Sequence, residues 1–321
     1  MKIKIKLAAV FLTAILTLAA CGRGGAGQAQ FDAEAEGLRI VTTIFPSFDF
    51  VRQIGGDRVQ VVMLLSPGAE SHSFEPTPMD MITLSNADFF LYLGGDGETW
   101  VPPVLASVFA AQGHQALAMS LVDLVYEIDE VPAHGHGHGH DGHDHSTDEH
   151  VWTSPQRAIL LVEALADVLS QLDPANAYFF QANAAAYIGE LQLLDQEFIS
   201  IVAAAGRNEM VFADRFPFRH FAIDYGLDYF AALDGCSVET QVDPATVASL
   251  IQLVREHDIP AIFYRELSGR EIANVIAEDT GVAMVELHSA HNLSPADFAA
   301  GVTFLDIMWR NTERLREALW Q

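Results

Sequence analysis

The chain has 321 residues, half of them hydrophobic, with a mean hydropathy of +0.19, enough apolar material for a sizeable core and too much for a disordered tail. Its 17 Lys and Arg stand against 43 Asp and Glu, a formal net charge of −26, which argues against nucleic acid as a partner and favours a cation. At about 150 residues per domain, the length predicts two lobes.

Residues 1–6 hold the only lysines, Lys2, Lys4 and Lys6. Residues 7–20 form an apolar run of signal-peptide length, shorter than the roughly 20 residues of a membrane span. The run ends Leu18-Ala19-Ala20-Cys21, which resembles the lipobox of bacterial lipoproteins. Residues 1–20 are therefore expected to be a signal peptide, Cys21 the lipidated residue, and 21–37 a flexible tether. The remainder is expected to be an exported protein held at the extracytoplasmic face of the cell membrane by its lipid alone. With Cys21 consumed, Cys236 has no partner within the chain, so no structural disulfide and no cysteine-based zinc site is expected.

Residues 38–43 read as a strand, 48–55 as a helix and 59–65 as a second strand ended by Ser66-Pro67-Gly68. A helix over 78–86 and a short strand over 89–93 follow, before Gly94-Gly95-Asp96-Gly97. The alternation returns later, with strands over 209–213, 261–264 and 283–287, helices over 247–257 and 269–280, and a last helix over 295–319. Such alternation predicts parallel sheets covered on both faces. Between the halves, Ser154-Pro155 reads as an N-cap followed by proline at the first helical position, opening a helix to about residue 171. Asp173-Pro174 repeats the signal, and Phe180, Ala184, Tyr187, Leu191, Leu194, Phe198, Ile201 and Ala205 recur every three or four residues until Gly206. That helix is expected to be about 48 Å long. The predicted fold is α/β: two doubly wound parallel-sheet lobes, 38–172 and 207–321, joined by a long rigid helix over 173–206.

Residues 133–149 form a histidine-rich loop. His134, His136, His138, His140, His143 and His145 place six of the thirteen histidines within twelve residues. Interleaved glycines leave no fixed geometry before a ligand arrives, and imidazoles with carboxylates suit zinc, copper or nickel better than magnesium or calcium. The loop is expected to be an auxiliary, multi-ion collector, with the specific site built on rigid elements. In doubly wound sheets, ligands bind beyond the carboxyl ends of strands. There the sequence places Glu70, His72 and Glu75 after the second strand, Asp214 after the strand over 209–213, Glu266 past Tyr264, and His288 after Leu287. His150 stands just before Ser154. His72, His150, Asp214 and His288 make a tetrahedral zinc set of three imidazoles and a carboxylate. Asp214 together with Glu266, a runner-up ligand, keeps manganese open as the alternative metal.

Ile44-Phe45-Pro46, the run from Pro67 to Pro78 reading PGAESHSFEPTP, Gly94-Gly95 and His150-Val151-Trp152-Thr153-Ser154-Pro155 resemble the zinc-uptake ABC transporter solute-binding lipoproteins. The resemblance covers nearly the whole mature chain. It implies two α/β lobes joined by a long helix, zinc held between them, and delivery of the ion to an ABC permease. His72 and His150 carry over as the two ligands of the N-terminal lobe. The C-terminal lobe departs from the commonest pattern: Asp214-Arg215-Phe216-Pro217-Phe218-Arg219-His220 resembles a DRFPFRY subgroup. His220, at that subgroup's tyrosine, is the runner-up for the third ligand, and His288 replaces the usual carboxylate. The subgroup often has a cysteine where Ala290 stands, which would pair with the equivalent of Cys236.

The sequence offers no HExxH helix, nucleophile elbow, phosphate-binding Gly-Lys-Ser/Thr loop or GxGxxG after a strand, so no enzyme is expected. A manganese or iron receptor of the same fold and a surface adhesin are the alternatives to zinc transport. The protein is expected to act as a monomer, with affinity falling as pH drops through about 6.5, where imidazoles protonate.

Overall fold

The computed structural model describes residues 30–70, 74–109, 117–126, 148–234 and 242–320. The expectations for the signal peptide, Cys21, most of the tether, His72, the six loop histidines and Cys236 lie outside the described residues.

Strand β1 (Leu38–Thr42) is central in the first sheet, flanked by β2 (Val59–Met63) and β3 (Phe89–Tyr92). Strand β4 (Leu117–Ser120) completes the order β2-β1-β3-β4, with every pairing parallel. The second sheet repeats the plan. Strands β5 (Glu209–Phe216), β6 (Asp228–Asp234), β7 (Ala261–Tyr264) and β8 (Ala283–Glu286) run parallel in the order β6-β5-β7-β8. Strands β4 and β6 were not read from the sequence. Leu-Ala-Met-Ser in β4 has little β-branched character, and pairing with β3 makes it a strand.

Helices supply the crossovers that parallel pairs require. In the first half these include α1 (Phe45–Gly55), α2 (Pro78–Ser85) and α3 (Val101–Val104), and α4 (Leu121–Tyr126) follows β4. Helix α1 begins before the predicted 48 because Pro46 stands in its first turn, where a missing N–H costs nothing. Helix α5 (Pro155–Leu172) starts where predicted. Ser154 has the extended dihedrals of an N-cap, yet its hydroxyl makes no capping hydrogen bond, and Pro155 at the first position fixes the start.

Helix α6 (Ala177–Ala204) has 28 residues, about 42 Å. Its buried seam is Phe180, Ala184, Tyr187, Leu191, Leu194, Phe198 and Ile201, the residues that the spacing selects. Helices α1 and α5 from before it and α11 (Phe304–Leu319) from the C-terminus pack on this seam. The second half also contains α7 (Arg219–Tyr225), α8 (Pro244–Glu256), α9 (Glu271–Thr280) and α10 (Pro295–Ala300).

The single helix expected over 295–319 is two. Gly301, at φ 73°, ends α10 in the left-handed conformation, and Thr303 with Asp306 forms a capping box that starts α11 afresh. Asp49 on α1 also accepts from the Phe304 N–H at 2.9 Å, and Phe50 packs edge-on to Phe304 at 4.9 Å. One hydrophobic core therefore runs from Ile40 and Phe89 through α6 to Phe212 and Phe263, and Phe31–Gln321 form one compact unit.

Candidate metal centre

Asp148, Glu149 and His150 are all buried, at 9, 1 and 3% exposure. Such a charged triplet is stable in the interior only if every group is bonded. Gly97 N–H donates to Glu149 Oε1 at 2.6 Å. A Cβ at Gly95, where φ is +74°, would lie 2.4 Å from that oxygen, so the glycines after β3 let the backbone close over this carboxylate. Asp148 Oδ1 accepts from both the His150 backbone N–H and the His150 ring Nδ1, each at 2.9 Å. Burial alone would raise the Asp148 carboxyl, but the His150 hydrogen bonds and the nearby His150 and His220 rings outweigh it and bring it down to about 2. An ionised Asp148 fixes the proton of His150 on Nδ1 and so puts the ring's acceptor lone pair on Nε2, the arrangement in which carboxylates orient imidazoles that ligate metals.

His220, on α7, is 5% exposed, and its Nε2 donates to the Asp148 carbonyl at 2.9 Å. Burial lowers its basicity, against the pull of Asp148, so the ring is neutral at neutral pH, with its lone pair on Nδ1.

The second partner of His150 comes from the turn after β8. The His291 ring centre lies 5.6 Å from that of His150, and Trp152 lies 5.3 Å from each of them. The Trp152 Nε1–H donates to Ser289 O at 2.8 Å, which pins this turn against the His150 segment. Two imidazoles on one tetrahedral zinc, each nitrogen about 2.0 Å from the ion, have ring centres roughly 5 Å apart. The spacing of His150 and His291 is of this size. The sequence reading passed over His291, although it stands three residues beyond His288 in the same short segment.

The other expected ligands fall elsewhere. His288 spends Nδ1 accepting from the Ala290 N–H at 3.0 Å, and Asn311 on α11 brackets its backbone. Glu266 accepts from the Ser289 N–H at 2.7 Å and the Ser289 hydroxyl at 2.5 Å, so its carboxylate holds the turn together. Asp214 does not follow β5 but lies within it, where the register with β6 shifts between Phe212 and Arg215. Its Oδ1 accepts from the Arg215 N–H and from Arg265 Nε, and Arg265 reaches Glu70 at 3.5 Å. Asp214 lines a cavity of about 240 Å³ with Arg215, Arg265, Ser268 and Glu271, and among the described residues no histidine lines it. Among the described residues, no three His, Cys, Asp or Glu side chains converge as a metal cluster; His72 lies outside them.

Two parallel α/β sheets are thus bridged by a long helix, and His150 and His291 meet where the two halves touch. The chain matches the family described as zinc-uptake complex component A, periplasmic, over residues 40–318, and it belongs to that family. It is 33% identical over 317 residues to the zinc-binding lipoprotein AdcA of Streptococcus pneumoniae, covering 98% of this chain and 60% of that protein. It is 31% identical over 312 residues to the high-affinity zinc uptake system protein ZnuA of Bacillus subtilis, covering 97% and 96%. The Zn(II)-bound ZnuA-like domain of S. pneumoniae AdcA superposes with a TM-score of 0.72 at 30% identity, over 89% of this chain and all of that one. The chain thus spans about three-fifths of the length of the streptococcal relatives it matches. Among the described residues no helix is long and apolar enough to cross a membrane.

Proposed function

We propose that this chain is an extracytoplasmic lipoprotein that captures Zn(II) between its two lobes and delivers it to an ABC permease. Cys21 carries the lipid, the protein works as a monomer, and the ion is its cargo. Membership of the zinc-uptake family supports the class, and no catalytic constellation in the sequence calls for an enzymatic role. The observation that carries the reading is the pairing of His150 with His291 at 5.6 Å, with the proton of His150 held by Asp148. These two rings, completed by His72 from the loop after β2, offer three neutral imidazoles, a set that suits zinc better than manganese. His220, whose Nε2 donates to the Asp148 carbonyl, supports the segment that carries His150. Asp214 and Glu266 serve the structure around the site, through Arg265 and Ser289 respectively. The histidine-rich segment over 134–145 collects additional ions.

A competition titration of zinc against a chelating dye tests the assignment. His72→Ala, His150→Ala and His291→Ala should each weaken binding by more than the roughly 10–100-fold that loss of an outer-sphere partner costs. His288→Ala should change it less than about threefold, since its Nδ1 is committed to Ala290. Unchanged affinity in His150→Ala and His291→Ala would overturn the reading. Loss in His288→Ala but not in His291→Ala would return His288 to the ligand set.

A further inference from the structure

The loop after β2 is held from the opposite half of the molecule. Ser66-Pro67-Gly68-Ala69 is a tight turn closed by the Ala69 N–H donating to Ser66 O at 2.9 Å. Proline at its second position and glycine at φ +83° at its third give it the type II form. Asn292, in the turn after β8 and 3% exposed, donates from Nδ2 to both ends of this turn, to Ser66 O and Ala69 O, each at 2.9 Å. Its Oδ1 accepts from the Leu293 N–H at 2.8 Å. The side-chain amide nitrogen of one buried Asn is thus spent on a contact across more than 220 residues of sequence. The same turn meets the second half again at Gly68, where a Cβ would lie 3.2 Å from Pro295 Cδ.

The position of Asn292 in the chain gives this contact its meaning. It directly follows His291, whose carbonyl accepts from the Phe45 N–H at 3.3 Å and whose ring faces His150. We infer that Asn292 is a positioning residue for metal capture: by tying the segment that carries His291 to the Ser66–Ala69 turn of the first half, it holds the His291 ring opposite His150 before the ion arrives. The inference rests on the zinc-capture reading above. Preorganised donors need no rearrangement on binding, and losing a group that orients ligands costs on the order of 10–100-fold in metal affinity. A clamp that must break before the halves separate acts chiefly on release.

The full chain is tested with zinc alone. Asn292→Ala removes both donors, and Asn292→Asp keeps the shape but sets a carboxylate against two carbonyl oxygens. Gly68→Ala strains the same turn from its other side, at a positive φ and against Pro295, without touching Asn292. Zinc transfer to excess chelator should be about tenfold faster or more in all three folded variants, with association changed less. Hydrogen exchange at residues 65–70 should be faster in the zinc-free Asn292→Ala chain. Release rates within twofold of the parent chain, whatever the exchange result, would overturn the inference and leave Asn292 a purely structural residue. If Asn292→Ala fails to fold, Gly68→Ala and Asn292→Asp decide by the same release measurement. Failure of the parent chain itself to bind zinc tightly would instead sink the zinc-capture reading, so the two failures are distinguishable.

Discussion

Glu98 sets up a pH dependence of stability that is separate from metal binding. It is buried beneath the glycine loop, with Oε2 accepting from the Leu93 N–H at 2.8 Å and the Gly94 N–H at 3.2 Å. Burial raises its carboxyl, the hydrogen bonds from Thr43, Gly94 and Leu93 offset only part of that, the charge of Glu149 adds to the rise, and the result is about 7 against an ordinary 4.5. Between those two pH values the unfolded chain has lost this proton and the folded chain keeps it. Each pH unit in that window therefore removes about 1.4 kcal/mol of stability, and the whole window removes about 3 kcal/mol. Because the folded group is the weaker acid, stability falls as pH rises from 4.5 to 7 and levels off above. Glu98→Gln keeps an oxygen for the two N–H donors and abolishes the titration. Urea unfolding of zinc-free protein at half-unit steps from pH 4 to 8 reads the effect as the stability of Glu98→Gln minus that of the parent chain. This difference should grow in favour of the variant by about 3 kcal/mol across the window. A difference flat to within about 1 kcal/mol would refute the reasoning, because it would mean the buried carboxyl ionises as readily in the folded chain as in the unfolded one.

The Arg157 guanidinium on α5 holds Asp224 on α7 through two 2.9 Å bonds, at side-chain exposures of 4 and 12%. Arg157→Ala strands a buried carboxylate and should cost roughly 3–5 kcal/mol in urea unfolding; a loss under about 1 kcal/mol would mean that water replaces the guanidinium freely. Deleting residues 134–145 should remove the weakly bound zinc ions counted by equilibrium dialysis and leave one tight ion per chain. Loss of that ion would show that the loop belongs to the specific site.

Much of the fold was legible because it rests on periodicity. The α6 seam, from Phe180 to Ile201, recurs every three or four residues, and only one face of a helix can bury such a set. The strands β1, β2, β3, β5, β7 and β8 stood out as apolar runs between turn residues. Strands β4 and β6 and the break at Gly301 did not. Leu-Ala-Met-Ser in β4 lacks the β-branched or aromatic residues that mark β3 and β7, and the apolar pattern continues across Gly301 into α11 although the backbone turns there. His150 stands out in the sequence because the segment around it is distinctive, and the structure buries it beside Asp148. Asp214 was expected at a strand end, but β5 continues past it to Phe216, so its carboxylate meets Arg265 instead.

The lopsided charge, the histidine-rich segment, the succession of strands and helices and the buried face of the long helix are all local properties, and the sequence determined them without help. Which histidine faces His150 was decided only in three dimensions. His288 and His291 are three residues apart in an irregular turn, held by Glu266 on Ser289 and by Ala290 at a φ of +59°. No helical or strand period relates their directions, so the spacing says nothing about which ring points where. Contacts distant in sequence settle it: Asn311 draws in the backbone of His288, Trp152 pins Ser289, and Asn292 clasps the Ser66–Ala69 turn. Those bonds join residues more than 20, and up to about 220, positions apart, and only the packed chain brings them within reach.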